Sequence, residues 1–119
     1  MLIAILFLAL SQQPAEAPKP EPVILKAGLG SCSSDFTVKD AEGKPAYNAT
    51  IHVRVRYGVM SLKRMDLEVS TGSDGKARVE GLPAKAKPLL YDIEKAGQKA
   101  TVEQNLEKTC AASHDVSLK

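Results

Sequence analysis

The residues of this 119-residue sequence with the most distinctive chemistry are Cys32, Cys110, His52 and His114. Cys110 and His114 stand four positions apart, a spacing that can serve zinc, so the four could in principle form a two-Cys, two-His site. A lone cysteine pair in an oxidising compartment instead forms a disulfide. A Cys32–Cys110 bond is therefore expected, with no metal and no other cofactor. His114 shares the parity of Val116 and Leu118 and is read as a hydrogen-bonded residue at the edge of the core. No Ser-His-Asp or Cys-His set emerges from the spacing, because the histidines fall in separate strands without an apparent acidic partner. The sequence is read as that of a protein that is not an enzyme.

Two other groups of residues invite a binding reading. His52, Arg54 and Arg56 alternate along one stretch while Asp66 and Glu68 alternate along the next. Cross-strand ion pairing is the favoured reading of that pattern, and a cationic patch for an acidic ligand is the competing one. The second group is the segment from Tyr57 to Met65, where Val59, Met60 and Leu62 lie beside Lys63 and Arg64. Apolar loop residues rimmed by charge mark contact sites. The competing role is a loop that folds back over the open end of the domain.

The elements that would position these residues are strands. From Asp35 onward, short period-2 runs are separated by turn residues, and helical spacing is not sustained. Phe36 and Val38 oppose Thr37 and Lys39, and the run stops at Asp40-Ala41-Glu42-Gly43-Lys44-Pro45, which carries turn chemistry. Ile51, Val53, Val55 and Tyr57 alternate with His52, Arg54 and Arg56. Met65, Leu67 and Val69 alternate with Arg64, Asp66 and Glu68. After Thr71-Gly72-Ser73-Asp74-Gly75, Ala77 and Val79 point inward, followed by Leu89, Tyr91 and Ile93, then Ala100, Val102 and Leu106, then Val116 and Leu118. Seven short antiparallel strands result, with an eighth at an edge if Val23-Ile24-Leu25 pairs. Such a run in about a hundred residues predicts an all-β, immunoglobulin-like two-sheet sandwich with one disulfide. The disulfide suits that arrangement, because Cys32 precedes the first strand and Cys110 the last, and parallel first and last strands would bring those starts together.

Length allows one ordinary domain. Met1 to Leu10 is an apolar run of the length of a signal-peptide core, too short to span a bilayer, and Ala15-Glu16-Ala17 supplies a small-x-small cleavage pattern. Residues 1–17 are therefore read as a signal peptide, residues 18–31 as a proline-rich spacer, and residues 32–119 as the sandwich. An uncleaved anchor is the competing role for the first segment. Leu29-Gly30-Ser31-Cys32 is similar to a lipobox, but Lys19, Glu21 and four prolines separate it from the apolar run. Cleavage would remove one acid, Glu16, from a formal net charge of +2. A balance this mild does not point to nucleic acid. Asn48-Ala49-Thr50 is a glycosylation sequon.

The order Val38-Lys39-Asp40, Gly43-Lys44-Pro45, Ala49-Thr50-Ile51-His52-Val53, Thr71-Gly72-Ser73-Asp74-Gly75-Lys76-Ala77 and Gly81-Leu82-Pro83 resembles the transthyretin-like, carboxypeptidase regulatory-like domains. The resemblance covers most of Phe36 to Lys119 and implies a prealbumin-type sandwich and a non-catalytic module. The chain departs from the pattern at Ala84-Lys85-Ala86-Lys87-Pro88, which replaces a Gly-containing turn. An enzymatic relative that hydrolyses hydroxyisourate ends in Tyr-Arg-Gly-Ser, and this sequence has Asp115-Val116-Ser117-Leu118-Lys119 there. The expected function is a secreted or periplasmic module of the bacterial envelope, for protein binding or assembly. A polysaccharide-binding module is the alternative, weakened by the absence of Trp and by the inward parity of Tyr57 and Tyr91. No transmembrane span is expected after cleavage.

Overall fold

The computed structural model describes residues 22–119, so the signal-peptide segment and the first part of the proline-rich spacer lie outside the described residues. The strands are β1 (Ile24–Lys26), β2 (Cys32–Lys39), β3 (Thr50–Tyr57), β4 (Lys63–Ser70), β5 (Lys76–Leu82), β6 (Leu89–Lys95), β7 (Gln98–Gln104) and β8 (Ala111–Ser117). They form two four-stranded sheets, ordered β1-β5-β2-β8 and β4-β3-β6-β7. No helix among the described residues is long and apolar enough to cross a membrane.

Period-2 alternation does the folding work. In β3, Ile51, Val53 and Val55 are buried while His52, Arg54 and Arg56 face solvent, because successive side chains leave opposite faces of a strand. Leu89, Tyr91 and Ile93 do the same in β6. These residues meet Phe36, Val38, Val79 and Leu82 of the first sheet in one core, closed by Leu106 at the disulfide end and by Leu118 at the other. Phe36 and Tyr91 touch edge to face at 4.8 Å, a favoured aromatic geometry.

The strand count is eight rather than seven, and the sandwich is not wholly antiparallel. Ile24–Lys26 pairs with β5 in parallel, Ile24 opposite Arg78 and Lys26 opposite Glu80. A strand of three residues just after Pro22 has too little alternation to announce itself in the sequence. The second parallel pair is β2 with β8, from Ser33 opposite Ala111 to Lys39 opposite Ser117. That pair is the one the cysteines require. Cys32 opens β2 and Cys110 immediately precedes β8, so their Cα atoms lie 4.6 Å apart and their sulfurs are bonded. Cys32 is fully buried in this bond. Cross-linking residues 78 positions apart removes loop-closure entropy from the unfolded chain, which stabilises the fold by about 4–5 kcal/mol.

Turn chemistry fixes the ends. Gly75 has φ 75°, and a Cβ there would come within 2.4 Å of the Val38 carbonyl oxygen. Only glycine both adopts that backbone and admits that approach. The strand order gathers the β2–β3, β4–β5 and β6–β7 connections at one end. The β3–β4, β5–β6 and β7–β8 connections lie with the disulfide at the other.

Candidate functional site

The disulfide end carries the β3–β4 loop. Gly58 (φ 82°), Met60 (φ 56°) and Ser61 (φ 55°) all adopt left-handed backbone, which closes the turn in a few residues and keeps it from lying back on the sheets. Val59, Met60 and Leu62 are 82%, 86% and 79% exposed. The fold-back role considered for this loop is thus not adopted: the three apolar side chains project outward. Tyr57, at the base, is half-buried and packs against the core. The β5–β6 segment braces it, through a bridge between Tyr57 and Ala86 and a bond from the Lys87 N–H to the Arg56 carbonyl at 3.2 Å.

Around this tip stand Arg56, Lys63, Arg64, Lys85 and Lys87, all exposed. None of the five has an acidic partner within ion-pair distance among the described residues. Arg56 lies directly opposite Arg64 across β3 and β4. On the outer face of β3 and β6, a shallow groove of about 440 Å³ is lined by Arg54, Arg56, Lys87, Pro88 and Leu90, with His52 and the acidic Asp92. Lys85, Lys87 and the 54%-exposed Leu90 were not singled out from the sequence. Their signal was present in the alternation of Ala84-Lys85-Ala86-Lys87, which puts both lysines on one side of an extended segment.

The predicted triad His52, Arg54 and Arg56 shares one sheet face but not one environment. Arg54 Nε donates to Asp66 Oδ1 at 2.8 Å. That bond holds the Asp66 carboxyl below its ordinary range and raises the Arg54 guanidinium. His52 Nε2 lies 4.0 Å from the same oxygen and sits across from Glu68 on one side and Asp92 on the other. Only Arg56 is left without an acid, so the cationic character of the face is concentrated beside the tip.

The cysteines and histidines do not converge. His52 is on the outer face of β3, whereas His114 stacks on Phe36 inside the sandwich with ring centroids 5.0 Å apart. Burial lowers the His114 pKa. His114 Nε2 approaches Ser34 Oγ at 3.4 Å, a hydroxyl–imidazole pair that the sequence did not suggest. Ser34 is fully buried, and it belongs to a polar cluster that ties the two sheets together. Both the Ser34 and Tyr91 hydroxyls donate to Gln104 Oε1, the second at 2.8 Å. Gln104 Nε2 donates to the Ser33 and Thr109 carbonyls at 3.2 and 2.9 Å. Burial pushes the Tyr91 phenol up to about 12. Ser34, Tyr91 and Gln104 are buried and hydrogen-bonded to one another, with half-buried His114 at their border, which is the geometry of a structural network.

At the opposite end, Tyr47 is 60% exposed, with Lys95 Nζ 6.0 Å from its ring centroid. The loop position of this tyrosine, outside any alternating run, hid it from parity arguments. Asn48 beside it is exposed, with φ 60°.

No family model matches the chain, and no curated protein matches it. Among solved structures it is similar to a catechol 1,2-dioxygenase from Pseudomonas arvilla C-1, with TM-score 0.56 and 11% identity over 88% of this chain and 59% of that one. A catechol 1,2-dioxygenase from Acinetobacter sp. ADP1, inhibited by bound mercury, gives 0.53 and 12% over 83% and 59%. The dioxygenase domain of a dioxygenase carbohydrate-binding protein fusion from the cellulolytic bacterium Streptomyces sp. SirexAA-E gives 0.53 and 14% over 91% and 96%. This chain spans 59% of the length of each catechol 1,2-dioxygenase. At such identities the likeness is one of fold, an all-β architecture on which unrelated chemistries are built.

Proposed function

We propose that this chain is an exported, non-catalytic β-sandwich module that binds a protein partner during envelope assembly, using the β3–β4 tip as its contact. The observation that carries this reading is the near-complete exposure of Val59, Met60 and Leu62 on a braced turn, ringed by cations with no acidic partner among the described residues. Exposed apolar side chains that serve no core are retained where a partner covers them. The surrounding positive charge favours an acidic partner surface and speeds the encounter. Export is supported by the apolar segment Met1–Leu10 and by the disulfide, which persists in oxidising compartments. The motif order that resembles carboxypeptidase regulatory-like domains supports a module that accompanies other proteins rather than acting on a small substrate.

The test is affinity capture from the native envelope fraction with the wild-type chain and with the double variant M60S/L62S. A defined protein retained by the wild type and lost from the variant supports the reading. Equal capture by both, with the variant normally folded, removes the tip from the interface. A second reading, polysaccharide binding, draws on the exposed Tyr47 ring, since sugars stack on aromatic faces. Retention on envelope polysaccharide that Y47A abolishes and M60S/L62S does not would favour it.

A further inference from the structure

Backbone groups along a sheet edge are unpaired unless something covers them. The edges of this sandwich are treated very differently. β1 is three residues long. β7 and β8 are joined at both ends: Lys99 and Lys119 exchange backbone bonds of 3.0 and 3.2 Å, and Gln104 binds the Thr109 carbonyl at 2.9 Å. β4 is eight residues long, pairs with β3 in unbroken register from Lys63 to Ser70, and has no partner on its other side among the described residues. It carries neither proline nor bulge; its one class of device against indiscriminate strand addition is charge, in Lys63, Arg64, Asp66 and Glu68, so only a strand of matching charge order can add to it.

We infer that β4 pairs antiparallel with β4 of a second copy of this chain, joining the two β4-β3-β6-β7 sheets across a two-fold axis. The charges on its outer face select that occupant. Arg64, at one end of this face, and Glu68, four residues on, both lack an ion-pair partner among the described residues. A two-fold through Asp66 places Arg64 of each copy opposite Glu68 of the other, so both unpaired charges are matched twice. Asp66 at the centre is already neutralised by Arg54 of its own chain at 2.8 Å. Arg64 also gains relief from Arg56, the like charge directly opposite it. On the inner face, half-buried Met65 meets Leu67 of the second copy, extending the core across the seam. A strand whose basic and acidic ends are reversed by a two-fold is complementary to itself, as an isologous interface requires. The two β3–β4 tips then point to opposite ends of the dimer.

Sedimentation equilibrium of the purified chain, across a concentration series, tests the pairing. A concentration-dependent dimer is expected, with amides of residues 63–70 exchanging more slowly as it forms. R64E and E68R each set like charges opposite one another and should weaken dimerisation about tenfold, while R64E/E68R together should restore it. A monomer at every concentration overturns the proposal, as does a dimer indifferent to all three variants. A dimer broken by each single variant and not restored by the double assigns the edge to some other register and overturns the two-fold placed here. Although Arg64 also stands at the rim of the tip, the readout is self-association of the purified chain with no partner present, and E68R lies away from the tip, so these outcomes are separable from the capture experiment with M60S/L62S.

Discussion

The disulfide end of this sandwich holds two regions built on opposite rules. Inside, Ser34, Tyr91, Gln104 and His114 bury polar groups where apolar ones would pack, and each group has a partner. Outside, Val59, Met60 and Leu62 expose apolar groups where polar ones would be solvated, beside cations that have no acidic partner among the described residues. The interior region is locked: a hydroxyl there that loses its partner has no water to replace it. The tip is held in shape by left-handed backbone, by two short-range backbone bonds from the Ser61 and Leu62 N–H groups to the Gly58 and Val59 carbonyls, and by a brace from the β5–β6 segment. Stability should therefore depend steeply on the first region and hardly at all on the second.

The largest expected effect lies at the staple beside the polar cluster. Replacing both Cys32 and Cys110 by Ala should lower unfolding free energy by about 4–5 kcal/mol, read from denaturant titration. A loss under about 1 kcal/mol would mean that the polar cluster and core alone fix this end. Next is Gln104→Ala, which removes the acceptor shared by the Ser34 and Tyr91 hydroxyls, leaving them only their mutual contact at 2.9 Å, and strands two carbonyls. A loss of about 3 kcal/mol is expected, against about 1 kcal/mol for Tyr91→Phe, which removes one hydroxyl and leaves the others paired. Equal losses would break the account of Gln104 as the hub.

The two regions were unequally legible in the sequence, for physical reasons. Strand alternation exposed the core-facing residues of β2 to β8, because burial of one face demands a period of two. It also marked the tip, since three apolar residues in a loop violate the pattern. The polar cluster was invisible. Ser34, Tyr91, Gln104 and His114 come from four strands in two sheets, and no local spacing encodes a meeting that only topology creates. β1 was nearly invisible too, being too short for periodicity. Tyr47 was missed because it lies outside any alternating run, and Lys85 and Lys87 because their alternation places them on one side of a segment without showing that the segment is held beside the tip.

A smaller effect comes from His114, and it has a definite sign. Burial lowers its pKa in the fold from an ordinary 6.5, so the unfolded chain binds a proton more readily than the folded one. This residue's contribution is complete above pH 6.5 and is lost as pH falls from there through the lowered folded value. Phe36, Tyr91 and Ser34 surround the ring, with no carboxylate among its described contacts to hold the charged form. Denaturation midpoints should thus fall between pH 7.5 and pH 5.5 in the wild type and change less in His114→Gln. The same slope in both would place the titration elsewhere.

The smallest effect should come from the tip. Met60 and Leu62 have almost all of their surface in water, so replacing both by Ser removes little buried apolar area, and the unfolding free energy should move by less than about 0.5 kcal/mol. The backbone is the harder constraint there. Gly58 at φ 82° lies 3.3 Å, by its would-be Cβ, from the Lys63 side chain, and Gly58→Val should reshape the turn where the serine variants do not. If M60S/L62S destabilised the fold strongly, the tip would be part of the core's closure, and its exposure would no longer argue for a partner. A variant as stable as the wild type that no longer captures its partner would separate the two regions completely, one serving the fold and the other serving contact.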